Sequence, residues 1–165
     1  MPIPRLFALA LFALASACAT APADPAPQPV YYVMRHLHTP EGERDPDLTD
    51  EGRRQAALLA DRLAPQRPVA IYVSDYRRTR QTAAPLAARL GLTPIVYDPA
   101  DTPALVARVR AGPRPALIVG HSNTVPEIIA QLGGTRPAPL VHADFGDLWR
   151  IGPGGTTARL RIDAP

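Results

Sequence analysis

The chain is poor in cysteine: it has one among 165 residues, Cys18. No disulfide can therefore hold the domain together, and its stability has to come from burial. Aromatic residues make up only 5% of the sequence, and the net charge is a modest +3. There is no basic tail and no series of stacking aromatics, which argues against nucleic acid as a partner and leaves anionic small molecules in play. A long hydrophobic run is also missing. The apolar stretch Leu6 to Ala15 is too short to cross a bilayer as a helix.

That stretch instead reads as the apolar core of an export signal. Arg5 precedes it and the small residues Ala15-Ser16-Ala17-Cys18-Ala19 follow. Two outcomes fit: ordinary cleavage before Cys18 or Thr20, or a lipobox with Cys18 as the lipidated first residue. We expect an exported protein, either periplasmic or anchored to the outer membrane by a lipid on Cys18, with no other membrane contact. Residues 1–19 form the signal. Residues 20–29, "TAPADPAPQP", read as an extended proline- and alanine-rich tether, and 30–165 as the folded domain.

Within the domain, apolar runs alternate with amphipathic segments. Val30 to Met34, Val69 to Val73, Pro94 to Tyr97 and "ALIVG" read as strands. Helices are expected after the Thr49 cap, over Arg77 to Leu90 with Gly91 as the stop, over Thr102 to Arg110, and around Val125 to Leu132. "DLWRI", "GPGG" and "TARLRI" form a hairpin. The alternation predicts an α/β fold, a three-layer α/β/α sandwich with a mostly parallel sheet. Ligands in such sheets bind beyond the carboxyl ends of the strands. Three of those ends are polar: Arg35-His36, Ser74 followed by Arg77-Arg78-Arg80, and His121-Ser122-Asn123.

Histidines and arginines gathered at one mouth suit a phosphoryl group. Arginine offers a planar fork of donors and stays charged. A neutral imidazole can attack phosphorus, provided its other ring nitrogen donates to a carbonyl that fixes the tautomer. The start of the helix after Gly120-His121-Ser122 can aim backbone N–H groups at the same anion. Two other readings of the residues stay open. His36-x-His38, with His121 or His142 and an Asp, resembles a zinc set, although the barrel that hosts that pair needs roughly 250 residues. A non-catalytic phosphate-binding envelope protein would carry the same charges.

Taken together, "RHLHT", "LTDEGRRQA", "SDYRRTRQTA" and "VGHSNTVPEII" resemble the histidine phosphatase superfamily, also called phosphoglycerate mutase-like. The resemblance implies a metal-independent, cofactor-free phosphatase that forms a phosphohistidine intermediate. His36 is then the nucleophile, Arg35, Arg78 and His121 complete the phosphate pocket, and Thr39 and Ser122 line it. Asp98, or else Asp101, is the expected proton donor. The implied substrate is a small phosphate monoester or a phosphohistidine protein. A mutase role is disfavoured because the expected glutamate-bearing segment is missing. Two positions depart from the family pattern, Leu37 and His38, where a small residue and a different polar residue are usual. Trp149 and His142 read as structural or peripheral.

Overall fold

The computed structural model describes residues 30–162. The signal and tether expected in 1–29 lie outside the described residues. The chain runs β1 (Tyr31–Arg35), α1 (Asp50–Leu63), β2 (Ala70–Ser74), α2 (Arg77–Leu90), β3 (Ile95–Tyr97), α3 (Thr102–Ala111), β4 (Ala116–Gly120), α4 (Val125–Gln131), β5 (Asp147–Ile151) and β6 (Thr157–Arg161). The six strands form one sheet in the order β3-β2-β4-β1-β5-β6. The first four in that order are parallel; β5 and β6 are antiparallel and close the β1 edge as the expected hairpin.

Strand periodicity divides the core in two. In β1, Tyr32 and Met34 face one layer, with Leu59 and Leu63 of α1 and Leu86 of α2. Tyr31 and Val33 face the other, with Val109 of α3, Ile128 and Ile129 of α4, and Trp149. This is the α/β/α sandwich. Trp149 is core rather than peripheral.

The two large helices are tied to strand ends. Thr49 caps α1 by accepting the N–H of Gly52 at 3.1 Å, and its own N–H donates to the carbonyl of His38. A Cβ at Gly52 would lie 2.5 Å from that carbonyl oxygen, so only glycine lets α1 dock on the chain leaving β1. At the far end of α2, Gly91 adopts φ +65°, the left-handed turn that stops a helix. Thr82 of α2 accepts the N–H of Leu37 at 3.0 Å, and Gln81 accepts that of Leu48 at 2.8 Å. The "RTRQTA" block thus fixes both the residue after His36 and the loop that follows it.

Candidate active site

The strand order places β4 between β2 and β1, so the three polar strand ends meet. Arg35 pairs with Gly120 across the sheet, and His36 N–H donates to the Gly120 carbonyl at 2.9 Å. His36 and His121 are therefore neighbours. Their rings meet edge to face with centroids 5.5 Å apart. Beside them is a cavity of about 690 Å³ whose wall includes Arg35, His36, Thr39, Arg78, His121 and Ser122. Six of the seven expected site residues thus border one space.

His36 is 5% exposed, and its Nδ1 lies 2.9 Å from the carbonyl of Leu37. A carbonyl only accepts, so Nδ1 holds the hydrogen and Nε2 keeps its lone pair. Burial pushes the ring pKa down to about 3, and Arg35, His121 and Arg78 act in the same direction against the Leu37 bond. The imidazole is neutral at pH 7, as a nucleophile requires.

Arg35 is anchored by a segment that carries no motif. Its Nη1 donates to the carbonyls of Val141 at 2.8 Å and His142 at 3.0 Å, and its guanidinium lies 4.1 Å from the Phe145 ring centre. Nε is buried without an acceptor, and the side chain's hydrogen bonds within the described residues run through Nη1. A buried cation with unspent donors favours an anion beside it. Phe145 also meets His36 at 5.9 Å, His38 at 4.4 Å and His142 at 5.4 Å.

Arg78 is the arginine brought inward. Nη1 reaches the Arg44 carbonyl at 3.2 Å and Asp45 at 3.4 Å, Nη2 reaches His121 Nδ1 at 3.4 Å, and the guanidinium sits 4.2 Å over Tyr76. Arg77 and Arg80 turn outward to Asp47 and Asp75. His121 is 8% exposed; burial, then Arg78 and Arg35, lower its pKa to about 4 despite Asp45. Its N–H is taken by Thr124 Oγ1 and its carbonyl by Thr124 and Val125, so the turn before α4 is internally bonded.

Asp98 requires correction. It is exposed, is absent from the cavity wall, and accepts the N–H of Ala100 at 2.9 Å in the turn before α3. Asp101 caps α3 through the N–H of Ala104. Both carboxylates follow the short β3 and serve local turns, and neither borders the cavity, although Pro99 beside Asp98 does. The carboxylates on the cavity wall are Glu41 and Glu43. They lie in the loop after β1, and Glu41 pairs with His142 at 3.3 Å across the mouth. His142 is thus a wall residue.

Of the two unusual positions, Leu37 is fully buried in the core. His38 is half-buried, with Nδ1 2.9 Å from Gln55 Oε1 and its ring against Phe145. It does not border the cavity. Among the described residues no group of three or more His, Cys, Asp or Glu is arranged to hold a metal ion, so the zinc reading lacks a ligand set.

A pair of imidazoles and a pair of guanidiniums stand together at the carboxyl end of a parallel sheet on an α/β scaffold, a donor set suited to an oxyanion. Comparison with known proteins agrees with that class. Residues 31–100 match the histidine phosphatase superfamily, branch 1. A glucosyl-3-phosphoglycerate phosphatase of Mycolicibacterium vanbaalenii is 45% identical over 58 residues, 35% of this chain and 25% of that protein. A Yersinia pestis protein named "Probable phosphoglycerate mutase GpmB" is 41% identical over 75 residues, 41% of this chain and 34% of that protein. The matched stretches thus span between a quarter and about a third of these relatives. Among solved structures, the protein histidine phosphatase SixA complexed with tungstate superimposes with a TM-score of 0.63 at 20% identity. The match covers 81% of this chain and 97% of that one. The mycobacterial glucosyl-3-phosphoglycerate phosphatase Rv2419c with VO3 gives 0.63 at 18%, covering 83% and 100%. These two share the fold. The family match thus runs from β1 to just beyond β3, and the likeness of fold extends over about four fifths of the chain.

Proposed function

We propose that this protein is a phosphatase that works through a phosphorylated His36 and needs no metal. The observation that carries the reading is His36 itself: a neutral ring with Nδ1 tied to a carbonyl, Nε2 unspent, and two guanidiniums and a second imidazole around it. Relatives named as phosphatases support it.

The substrate phosphoryl group is held by Arg35 through Nη2, by Arg78 and by His121, with Thr39 and Ser122 at the wall. Nε2 of His36 attacks phosphorus in line. The new P–N bond forms as the P–O bond to the leaving group breaks, and the leaving oxygen takes a proton. Water then attacks phosphorus, the P–N bond breaks, and orthophosphate and free imidazole remain. Proton donation falls to Glu41 or Glu43, or to water. Among the described residues the cavity wall is made mostly by the loops that follow β1, β2 and β4, which suits a small phosphate monoester or a phosphohistidine side chain. Export, to the periplasm or to a membrane through Cys18, is part of the proposal and rests on residues 5–19 alone.

The test is a panel of aryl phosphate, sugar phosphates and a phosphohistidine peptide, run on the full chain with and without EDTA. Turnover unaffected by chelator supports the reading. Chelator-sensitive turnover, or phosphate binding with no turnover on any member, rejects it.

A further inference from the structure

Ser74 ends β2 fully buried, and Thr79, in the first turn of α2, is equally buried. Neither enters the reaction above. Their hydroxyl oxygens lie 3.0 Å apart, and Ser74 Oγ lies 2.8 Å from Nε2 of His121. A hydroxyl has one hydrogen, so a chain of hydroxyls has a direction. Thr79 Oγ1 is 2.9 Å from the carbonyl oxygen of Ser74 and 2.8 Å from that of Tyr76. Carbonyls only accept, so the Thr79 hydrogen is committed to them and its oxygen accepts from Ser74. Having spent its hydrogen there, Ser74 must accept from His121, and Nε2 therefore carries the ring hydrogen.

The other side of the ring gives the same answer independently. Arg78 Nη2 lies 3.4 Å from Nδ1, and a guanidinium only donates. Nδ1 is the acceptor there. His121 thus turns a lone pair, not a hydrogen, toward Arg78 and the cavity. An oxyanion beside Nδ1 would meet that lone pair. The Nε2 hydrogen is held in place, because Ser74 has no second hydrogen to give back. The remaining way to present a donor is to add a proton at Nδ1.

We propose that the Ser74–Thr79 hydroxyl pair makes oxyanion binding proton-coupled: a phosphoryl dianion enters with one proton, which ends on Nδ1 of His121 while Nε2 keeps its own. The proton comes from solvent, or arrives on the oxygen of a monoanionic substrate. Ser74 and Thr79 are positioning residues that act through His121, and the inference rests on the phosphate-pocket reading above. The groups facing His121 are Arg78 and Tyr76 on one side, Arg35 and His36 at the end of β1, and Asp45 from the loop before α1. Burial and the two guanidiniums hold the free ring neutral at pH 7, and the incoming dianion supplies the charge that offsets them.

Tungstate, a dianion near neutral pH, is the probe. Nitrogen NMR of the full chain labelled in histidine reads which ring nitrogens carry hydrogen, and His121→Gln assigns the His121 signals among the four histidines. The expected result is hydrogen on Nε2 alone in the free protein and on both nitrogens in the tungstate complex. The tungstate Kd should rise by up to about tenfold per pH unit from 7 to 9. Thr79→Val frees the Ser74 hydroxyl to donate to Nε2, so a neutral ring can offer Nδ1–H and the pH dependence should flatten; Thr79→Ser should retain it. A neutral His121 in the wild-type complex, or a flat wild-type profile, overturns the proposal without recourse to any variant. A folded Thr79→Val protein with the wild-type slope removes the hydroxyl pair from the account. Failure of tungstate to bind at all overturns the phosphate pocket itself, and the proposal with it.

Discussion

Arg35 and Phe145 are in cation–π contact, 4.1 Å from guanidinium carbon to ring centre, although one ends β1 and the other precedes β5. The contact aligns the guanidinium while the carbonyls of Val141 and His142 hold Nη1. Phe145 is 5% exposed. Phe145→Leu should keep most of the buried volume yet free the guanidinium plane. We expect a stability loss of about 1–2 kcal/mol and a fall in kcat/KM of about tenfold. Urea titration and steady-state kinetics on the same preparation check both.

Arg78 offers a different substitution test. It uses both terminal nitrogens and lies over Tyr76, a geometry that a point-charge ammonium cannot reproduce. Arg78→Lys should therefore behave as a loss, lowering kcat/KM by about 10²-fold or more. Activity within a factor of two of wild type would place the phosphate elsewhere.

Glu41 and Glu43 are the carboxylates on the cavity wall. If either protonates the leaving group, its Gln variant should slow alkyl phosphate hydrolysis by about 10²-fold and nitrophenyl phosphate hydrolysis much less, since a good leaving group needs little acid help. Asp98→Asn should leave both rates near wild type. Equal losses on both substrates in both Gln variants would assign the proton to water.

The buried histidines predict acid sensitivity. His36 and His121 have pKa values of about 3 and about 4, whereas in an unfolded chain both take protons near 6.5. Between those values the unfolded state binds more protons, so stability falls as pH drops from 6.5 toward 4 and is fully present above 6.5. The cost at pH 4.5 is on the order of a few kcal/mol for the pair. Urea midpoints at pH 7 and 4.5 should show it, and His121→Gln should shrink the difference.

How much of this was legible in the sequence differs by residue. His36, Ser74 and His121 follow apolar runs, and the alternation of strands and helices brings strand ends to one edge, so their convergence could be read directly. Arg78 was legible through its place in the "SDYRRTRQTA" block, and the caps Thr49 and Gly91 through their chemistry. The anchoring of Arg35 was not legible, because its acceptors are backbone carbonyls that any residue supplies. Phe145 sat in a loop with no periodicity to mark it. Asp98 misled because closeness in sequence to a strand end does not say which way a turn aims its carboxylate. Glu41 and Glu43 gave one available signal: acids in a loop leaving the strand that carries the nucleophile.

The most direct measurement is to quench the full chain during turnover of a labelled phosphate ester and map the label by peptide mass spectrometry. The account predicts an acid-labile, base-stable phosphoryl group on His36, absent from a folded His36→Ala protein that has also lost turnover. Turnover that survives in His36→Ala, or label that maps to another residue, would contradict it.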